Sequence, residues 1–215
     1  MIGIVLEQIL NGLLVGSYYI VLSLGLSIIF SLGGVVNLAH GAFYALGAYF
    51  AYEVQRRLGF GGAVVLSPVG VALVGIVIER LFLRRLYRED PMLGLLFTFG
   101  LAMTAEQSLR LIWGTTGLNF SIPDALRGQL LLGDFIYSYY RLTVLAVTML
   151  AVTGCWLLLN KTPFGMIVRA GTRDPEMVRA LGISLKPAQT AVFALGVALA
   201  GLAGVLSAPL AGVQP

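Results

Sequence analysis

Residues 142–159 read LTVLAVTMLAVTGCWLLL, eighteen consecutive positions without a charge. A helix of this length rises about 27 Å, close to the roughly 30 Å of a bilayer's hydrocarbon core. Blocks of the same kind recur outward from it in both directions, at about 8–32, 37–52, 62–78, 93–113 and 188–211. Short clusters between them hold nearly all of the charge. Over the 215 residues, 58% are hydrophobic and 11% are charged, whereas a soluble domain has about one quarter charged. Such a surface cannot be kept hydrated. A soluble enzyme, a secreted disulfide scaffold and a nucleic-acid binder are therefore excluded. The net charge of +4 does not restore the last of these, because the basic residues sit between spans. The expectation is an all-α, polytopic transmembrane helix bundle of about six spans, forming a single membrane domain over residues 1–215.

The lone cysteine, Cys155, lies inside an apolar block, so an internal disulfide is impossible. The first basic residue is Arg56, so no charged region precedes the first apolar block, which reads as a retained span. Orientation follows from the loop cations. Segments 79–90 and 160–187 carry Arg80, Arg84, Arg85, Arg88, Lys161, Arg169, Arg173, Arg179 and Lys186. The alternate side carries Arg56, Arg57, Arg127 and Arg141. The richer side is expected to be cytoplasmic. If six spans alternate, the N-terminus faces out, and if the short second block is re-entrant it faces in. Segment 114–140 has no twenty-residue apolar run and reads as an ordered outer loop with room for one amphipathic helix. Small residues at helix-packing spacing (Gly12 and Gly16, Gly41 and Ala45, and Gly196, Ala200 and Gly204) read mainly as close-packing positions.

Three places could carry function. At Gly33-Gly34-Val35-Val36-Asn37-Leu38-Ala39-His40-Gly41 a glycine pair breaks an apolar run and frees backbone groups that hydrocarbon cannot satisfy. Asn37 is placed to cap the next helix with an amide at His40 or nearby. Such a break is either the turn between two spans or a broken, re-entrant segment lining a transport path. The candidate path residues here are Asn37, His40 and Gly41. In the fourth block Glu106 and Arg110 are spaced to pair on one face. Beside Trp113 they read either as a pair snorkelling to the outer headgroups or, with Thr98, Thr104 and Gln107 of the same block, as a cavity lining. Between the last two blocks, Asp174 suits an N-cap, Pro175 the first helical position, and Gly182 the left-handed residue that ends a short helix. Met177, Val178 and Leu181 are expected on one face. Two turns are not stable alone, so this helix must dock on its own bundle or on a soluble partner. A phosphate-binding loop and a cysteine cluster are lacking, and one histidine makes no His-rich metal site.

At this loop the sequence resembles the permease subunits of bacterial ABC importers, whose cytoplasmic E-A-A-x-x-x-G loop sits in a groove of the ATPase. Glu176 and Gly182 keep the six-residue spacing, with Met177 and Val178 in place of the alanines. The run from Asn37 to Tyr49, NLAHGAFYALGAY, resembles the signature of the branched-chain amino acid permease family, as do Arg179 to Ile183 and Phe193 to Leu206. The resemblance covers essentially the whole chain. It implies a multi-pass permease subunit in the bacterial plasma (inner) membrane, not an enzyme itself, which binds no cofactor or metal of its own. It implies two ATP-binding subunits, a second related permease subunit and a periplasmic or lipid-anchored substrate-binding protein, with membrane lipid around them. The ATPase-coupling loop would comprise Arg169, Arg173, Asp174, Glu176, Met177, Val178, Arg179, Leu181 and Gly182, moving as a lever when the ATPases close. Family members continue with further spans past Gln214-Pro215, so the chain is expected to be an incomplete family domain. Branched-chain or related amino acids are the expected cargo. A urea or short-amide permease is the neighbouring alternative, and a channel or ion-coupled secondary transporter using Glu106 is the alternative from another class.

Overall fold

The structure is a computed structural model and describes residues 2–87, 89–132 and 135–213. Arg88, Gln214 and Pro215, named above, lie outside the described residues. Helix α1 (Ile2–Gly33) is followed by α2 (His40–Ile78), which continues through a π-helical stretch, Glu79–Leu83, into the single turn α3 (Arg84–Leu86). Then come α4 (Pro91–Trp113), strands β1 (Gln129–Leu132) and β2 (Phe135–Ser138), and helices α5 (Tyr139–Lys161), α6 (Pro163–Arg173), α7 (Pro175–Ala180) and α8 (Lys186–Ala211). Five helical stretches are long and apolar enough to cross a membrane. The fold is an all-α polytopic bundle.

The second of these stretches is two antiparallel arms. Gly59 has φ 73° and ψ 177°, outside the helical region, and reverses the chain between residues 40–58 and 60–78. Its positive φ is one that a side chain would resist. The fold-back shows in the contacts, for a Cβ on Gly70 would lie 3.0 Å from the ring of Phe50. Blocks two and three are thus a helical hairpin, with Arg56 and Arg57 beside its tip.

Helix α8 is the buried axis of the bundle. Val197, Ala200, Ala203, Val205 and Leu206 are fully enclosed, packed by both arms of α2 and by α1. Small residues decide this. Gly196 lies against Gly25 and Ile29 of α1, Gly201 against Gly47 and Val71, and Gly204 against the backbone of Tyr44. In lipid, close backbone approach supplies the packing energy that apolar burial does not. The other small-residue pairs do not act this way, since added Cβ atoms at Gly12, Gly16 and Gly41 meet nothing within 4 Å.

Two expectations are corrected. Segment 79–90 is not all loop, because the helix runs on to Leu86; neither Gly nor Pro interrupts it before Pro91. Segment 114–140 forms a β-hairpin and one 3₁₀ turn, Asp124–Leu126, instead of an amphipathic helix. Its signal was present in the sequence, as Gly133-Asp134 between two runs of strand-compatible residues.

The ends of the bundle separate the cations. Gly33 lies against Tyr87, Gly171 against Leu32 and Leu185, and Arg84 bonds Thr190 at 2.5 Å. At the opposite end Arg141 bonds Asn11 at 2.5 Å and Gln55 donates to the Ser121 carbonyl at 3.0 Å. Segments 79–87 and 160–187 therefore share one end with the C-terminus of α1, and the N-terminus lies at the other. With the cation-rich end inside, the N-terminus faces out.

Candidate translocation site

The chain does not turn and leave after α1. Gly34, at φ +66°, bends it back, and residues 35–39 descend into the bundle as irregular backbone that ends in a turn at Leu38-Ala39. His40, the first residue of α2, reaches Leu22 of α1, eleven residues before the end of that helix. That is about 16 Å of helix axis at 1.5 Å per residue. The first arm of α2 therefore starts at membrane depth and exits outward at Gly59. Both expectations for the second block hold in part, since it re-enters and then completes the crossing.

Backbone exposed at this depth must find partners inside the protein. Thr98 of α4, fully buried, accepts from the Leu38 amide at 3.2 Å, and its hydroxyl lies 3.4 Å from the Val36 carbonyl. Asn37 accepts from the Ala39 amide at 3.1 Å, and its own carbonyl accepts from the His40 amide at 3.2 Å. Val35 fills the space over Gly94, where a Cβ would lie 2.6 Å from Val35 Cγ1. Replacing Thr98 with valine strands the Leu38 amide in a dry interior. The expected loss is about 1–3 kcal/mol, read as a lower thermal midpoint in detergent, while Thr98→Ser stays near wild type.

Among the described residues, two polar atoms at the break have no partner. His40 Nε2 lies 3.0 Å from the Leu22 carbonyl, which can only accept, so Nε2 carries the proton. Nδ1 is then a bare acceptor in the neutral ring, buried without a hydrogen bond, as is the Asn37 amide nitrogen. One turn on from His40, Tyr44 shares a 2.5 Å bond with Ser207 of α8. Tyr18 of α1, its hydroxyl buried and unpaired, faces the same region. Leu14, Tyr18, Leu22, Tyr44 and Ser207 line a hollow of about 460 Å³ between α1, α2 and α8. It lies on the outward side of the break. Its walls are apolar with a few hydroxyls, the composition of a small-molecule site.

Gly41, also expected here, follows His40, and a Cβ added to it would meet nothing within 4 Å. Glu106 and Gln107 are not brought to this place. Glu106 pairs with Arg110 at 2.7 Å on the outward face of α4, the side chains 50% and 38% exposed. Tyr18, Tyr44 and Ser207 were missed, and Thr98 was read only as one polar group of the fourth block; Tyr44, four residues after His40, was the other that carried a sequence signal.

Residues 8–215 fit the family model described as branched-chain amino acid transport system, permease component. The chain belongs to this family. It is 28% identical over 216 residues to the high-affinity branched-chain amino acid transport permease BraD of Pseudomonas aeruginosa, covering 94% of this chain and 70% of that protein. It is 26% identical over 227 residues to LivH of Escherichia coli, covering 97% of this chain and 72% of that protein. A probable LivH of Methanocaldococcus jannaschii is 28% identical over 219 residues, covering 93% and 65%. No solved structure matches the chain significantly. The chain is thus a permease subunit of an ABC importer and a multi-pass protein of the plasma (inner) membrane.

At the permease's cytoplasmic end, the 161–182 loop folds as its residues suggest. Thr162 caps α6 through the Gly165 amide at 3.3 Å. Asp174 caps α7 through the Met177 amide at 2.9 Å. Gly182, at φ +80°, closes α7 with two bonds, its amide to the Arg179 carbonyl at 2.9 Å and the Ile183 amide to the Val178 carbonyl at 3.2 Å. That pair is the Schellman arrangement, in which only glycine takes the left-handed turn without strain. The apolar residues divide, contrary to expectation. Val178 is 5% exposed and anchors α7 to the bundle, whereas Met177 and Leu181 are 58% and 70% exposed. The helical period explains it, for positions 177 and 181 are one turn apart while 178 points about 100° away. Arg169 is committed elsewhere, donating to the Leu159 carbonyl at the end of α5. Arg173, Asp174, Glu176 and Arg179 are exposed beside Met177 and Leu181.

Proposed function

We propose that this permease carries branched-chain amino acids inward, driven by two ATP-binding subunits that grip the α7 loop, and binds no cofactor itself. A second related permease completes the pathway, and a periplasmic or lipid-anchored binding protein delivers the cargo to the outer face around 114–140. The carrying observation is α7, a capped two-turn helix anchored by Val178 that offers Met177 and Leu181 to solvent. Two large apolar side chains held outward on so short a helix suit insertion into a partner's groove. Arg173, Glu176 and Arg179 supply the polar rim. The break at Asn37 and His40 and the hollow beside it support a solute path, because half-helix ends and unpaired polar atoms at depth face cargo in transporters. Apolar walls at Leu14 and Leu22 favour a branched side chain over urea.

The test is uptake by proteoliposomes containing the assembled importer and its binding protein. Labelled leucine should accumulate with ATP and resist an excess of urea. The double variant Met177→Ser/Leu181→Ser should insert normally but retain under about a tenth of the ATPase subunits, since buried interface anchors contribute roughly 2 kcal/mol or more each. Full ATPase retention by that variant overturns the docking assignment.

A further inference from the structure

A buried charge centre sits at the cytoplasmic end, away from α7's outward face. Glu79, fully buried, accepts from Thr190 of α8 at 2.7 Å and pairs with Arg84 at 3.4 Å. The π-helical stretch makes this possible, because five-residue spacing diverges on an α-helix but comes round to one side on a π turn. The contacts from Arg84 to the carboxylate are long, 3.4 and 3.5 Å. Its side chain is 31% exposed. The guanidinium therefore keeps donors free for something outside.

What lies outside is a hollow of about 410 Å³ between the end of α2 and the start of α8, lined by Ile76, Arg80, Arg84, Lys186, Pro187 and Thr190. Among the described residues no carboxylate pairs with Arg80 or Lys186. Glu79, next to Arg80 in the chain, is already engaged by Arg84 and Thr190. The positive charge extends past Arg84 and Lys186 into a smaller hollow of about 130 Å³ that adds Arg179 and Tyr87. Burial, reinforced by Glu79 and opposed by Arg84, pushes the Tyr87 hydroxyl up, so it stays a donor. Below the cations the wall turns apolar. Ile76 supplies it on the α2 side, and Pro187 and Ala191 on the α8 side.

A basic rim above an apolar, outward-facing groove at the inner membrane surface has the chemistry of a phospholipid site. We propose that this groove binds the phosphate of an anionic phospholipid from the inner leaflet, held by Arg80, Arg84 and Lys186, with its acyl chains against Ile76, Pro187 and Ala191. A free phosphate would use the rim but gain nothing from the apolar wall. An acidic segment of an ATPase subunit would reach the rim only from the cytoplasm. Because Arg179 of α7 borders the smaller hollow, the lipid headgroup would sit next to the coupling helix.

The experiment takes the assembled importer, stripped of lipid in detergent, and titrates it with phosphatidylglycerol or phosphatidylcholine while native mass spectrometry reads bound lipid. Phosphatidylglycerol should be retained and phosphatidylcholine lost. Arg80→Gln/Lys186→Gln should weaken phosphatidylglycerol binding roughly 10- to 30-fold, the effect of two cations near a charged surface. Ala191→Trp, which fills the groove and leaves every charge in place, should also reduce occupancy and covers the case in which the double variant fails to fold. Equal retention by wild type and Ala191→Trp overturns the proposal. So does displacement by millimolar inorganic phosphate, which would mark a free-anion site. Binding that appears only after the ATPase subunits are removed would assign the rim to that partner and overturn it as well.

Discussion

Gly204→Val is expected to eliminate the folded permease. A Cβ at this position would press on the Tyr44 carbonyl oxygen and lie 3.1 Å from the Ala48 amide nitrogen. Both are backbone atoms of the first arm of α2, so no rotamer change relieves the overlap. The arm and α8 would have to separate, taking apart the Gly47–Gly201 contact and the 2.5 Å bond from Tyr44 to Ser207. Overpacking a soft core costs about 1–3 kcal/mol. Here the obstacle is backbone at the central helix, and the loss should exceed that range. Monodisperse protein recovered by size exclusion should fall to near background, although insertion of each apolar span continues. Gly12→Ala is the control. Its Cβ meets nothing in this chain, and its thermal midpoint should move by no more than about 0.5 kcal/mol in equivalent stability. Recovery of Gly204→Val at wild-type levels would mean that α8 and α2 do not touch as described.

Gly182→Val is expected to leave the bundle intact and stop transport. The residue has φ +80°, and a Cβ added to it would meet nothing within 4 Å, so the penalty is backbone strain alone. It amounts to about 1–2 kcal/mol for an L-residue in the left-handed region, and more for a β-branched one. The turn would relax by opening the two bonds that close α7, which swings Leu181 away from Met177. Both are the residues offered to the ATPase under the function proposed above. Protein level and midpoint should stay near wild type, uptake should drop to background, and ATP hydrolysis should lose its response to loaded binding protein. Gly182→Asn, which tolerates the left-handed region, should recover much of the activity. Normal uptake by the valine variant would remove α7 from the coupling role.

The break at residues 33–41 shows how far the sequence could be read. The glycine pair, Asn37 and His40 announced an interruption, because backbone in hydrocarbon must be satisfied and glycine runs leave it bare. Nothing local stated that the chain would re-enter to Leu22, since this depends on Thr98, about sixty residues away, accepting from Leu38. The Tyr44–Ser207 bond spans 163 residues and was equally out of reach. Glu79 falls in the charged 79–90 segment, and only the π turn and Thr190 turn it inward. The α7 caps, by contrast, are relations among neighbours, and Asp174, Pro175 and Gly182 could be assigned their places directly. Its apolar face could not, because the bundle that claims Val178 lies outside the helix.

The sequence by itself determined that this protein lives in lipid, where its apolar blocks run, which end holds the cations, and how α7 begins and ends. These are properties of composition and of contacts within a few residues, set by transfer free energies and backbone geometry. Only the tertiary structure decided that two of the blocks form one hairpin at Gly59, that α8 is the buried axis, and that His40 meets α1 at depth. In a chain whose helices are apolar on nearly every side, hydrophobic pattern carries little information about which helix meets which. That choice falls to where backbones can come closest, and the glycines on facing helices become visible as partners only when the helices are already packed.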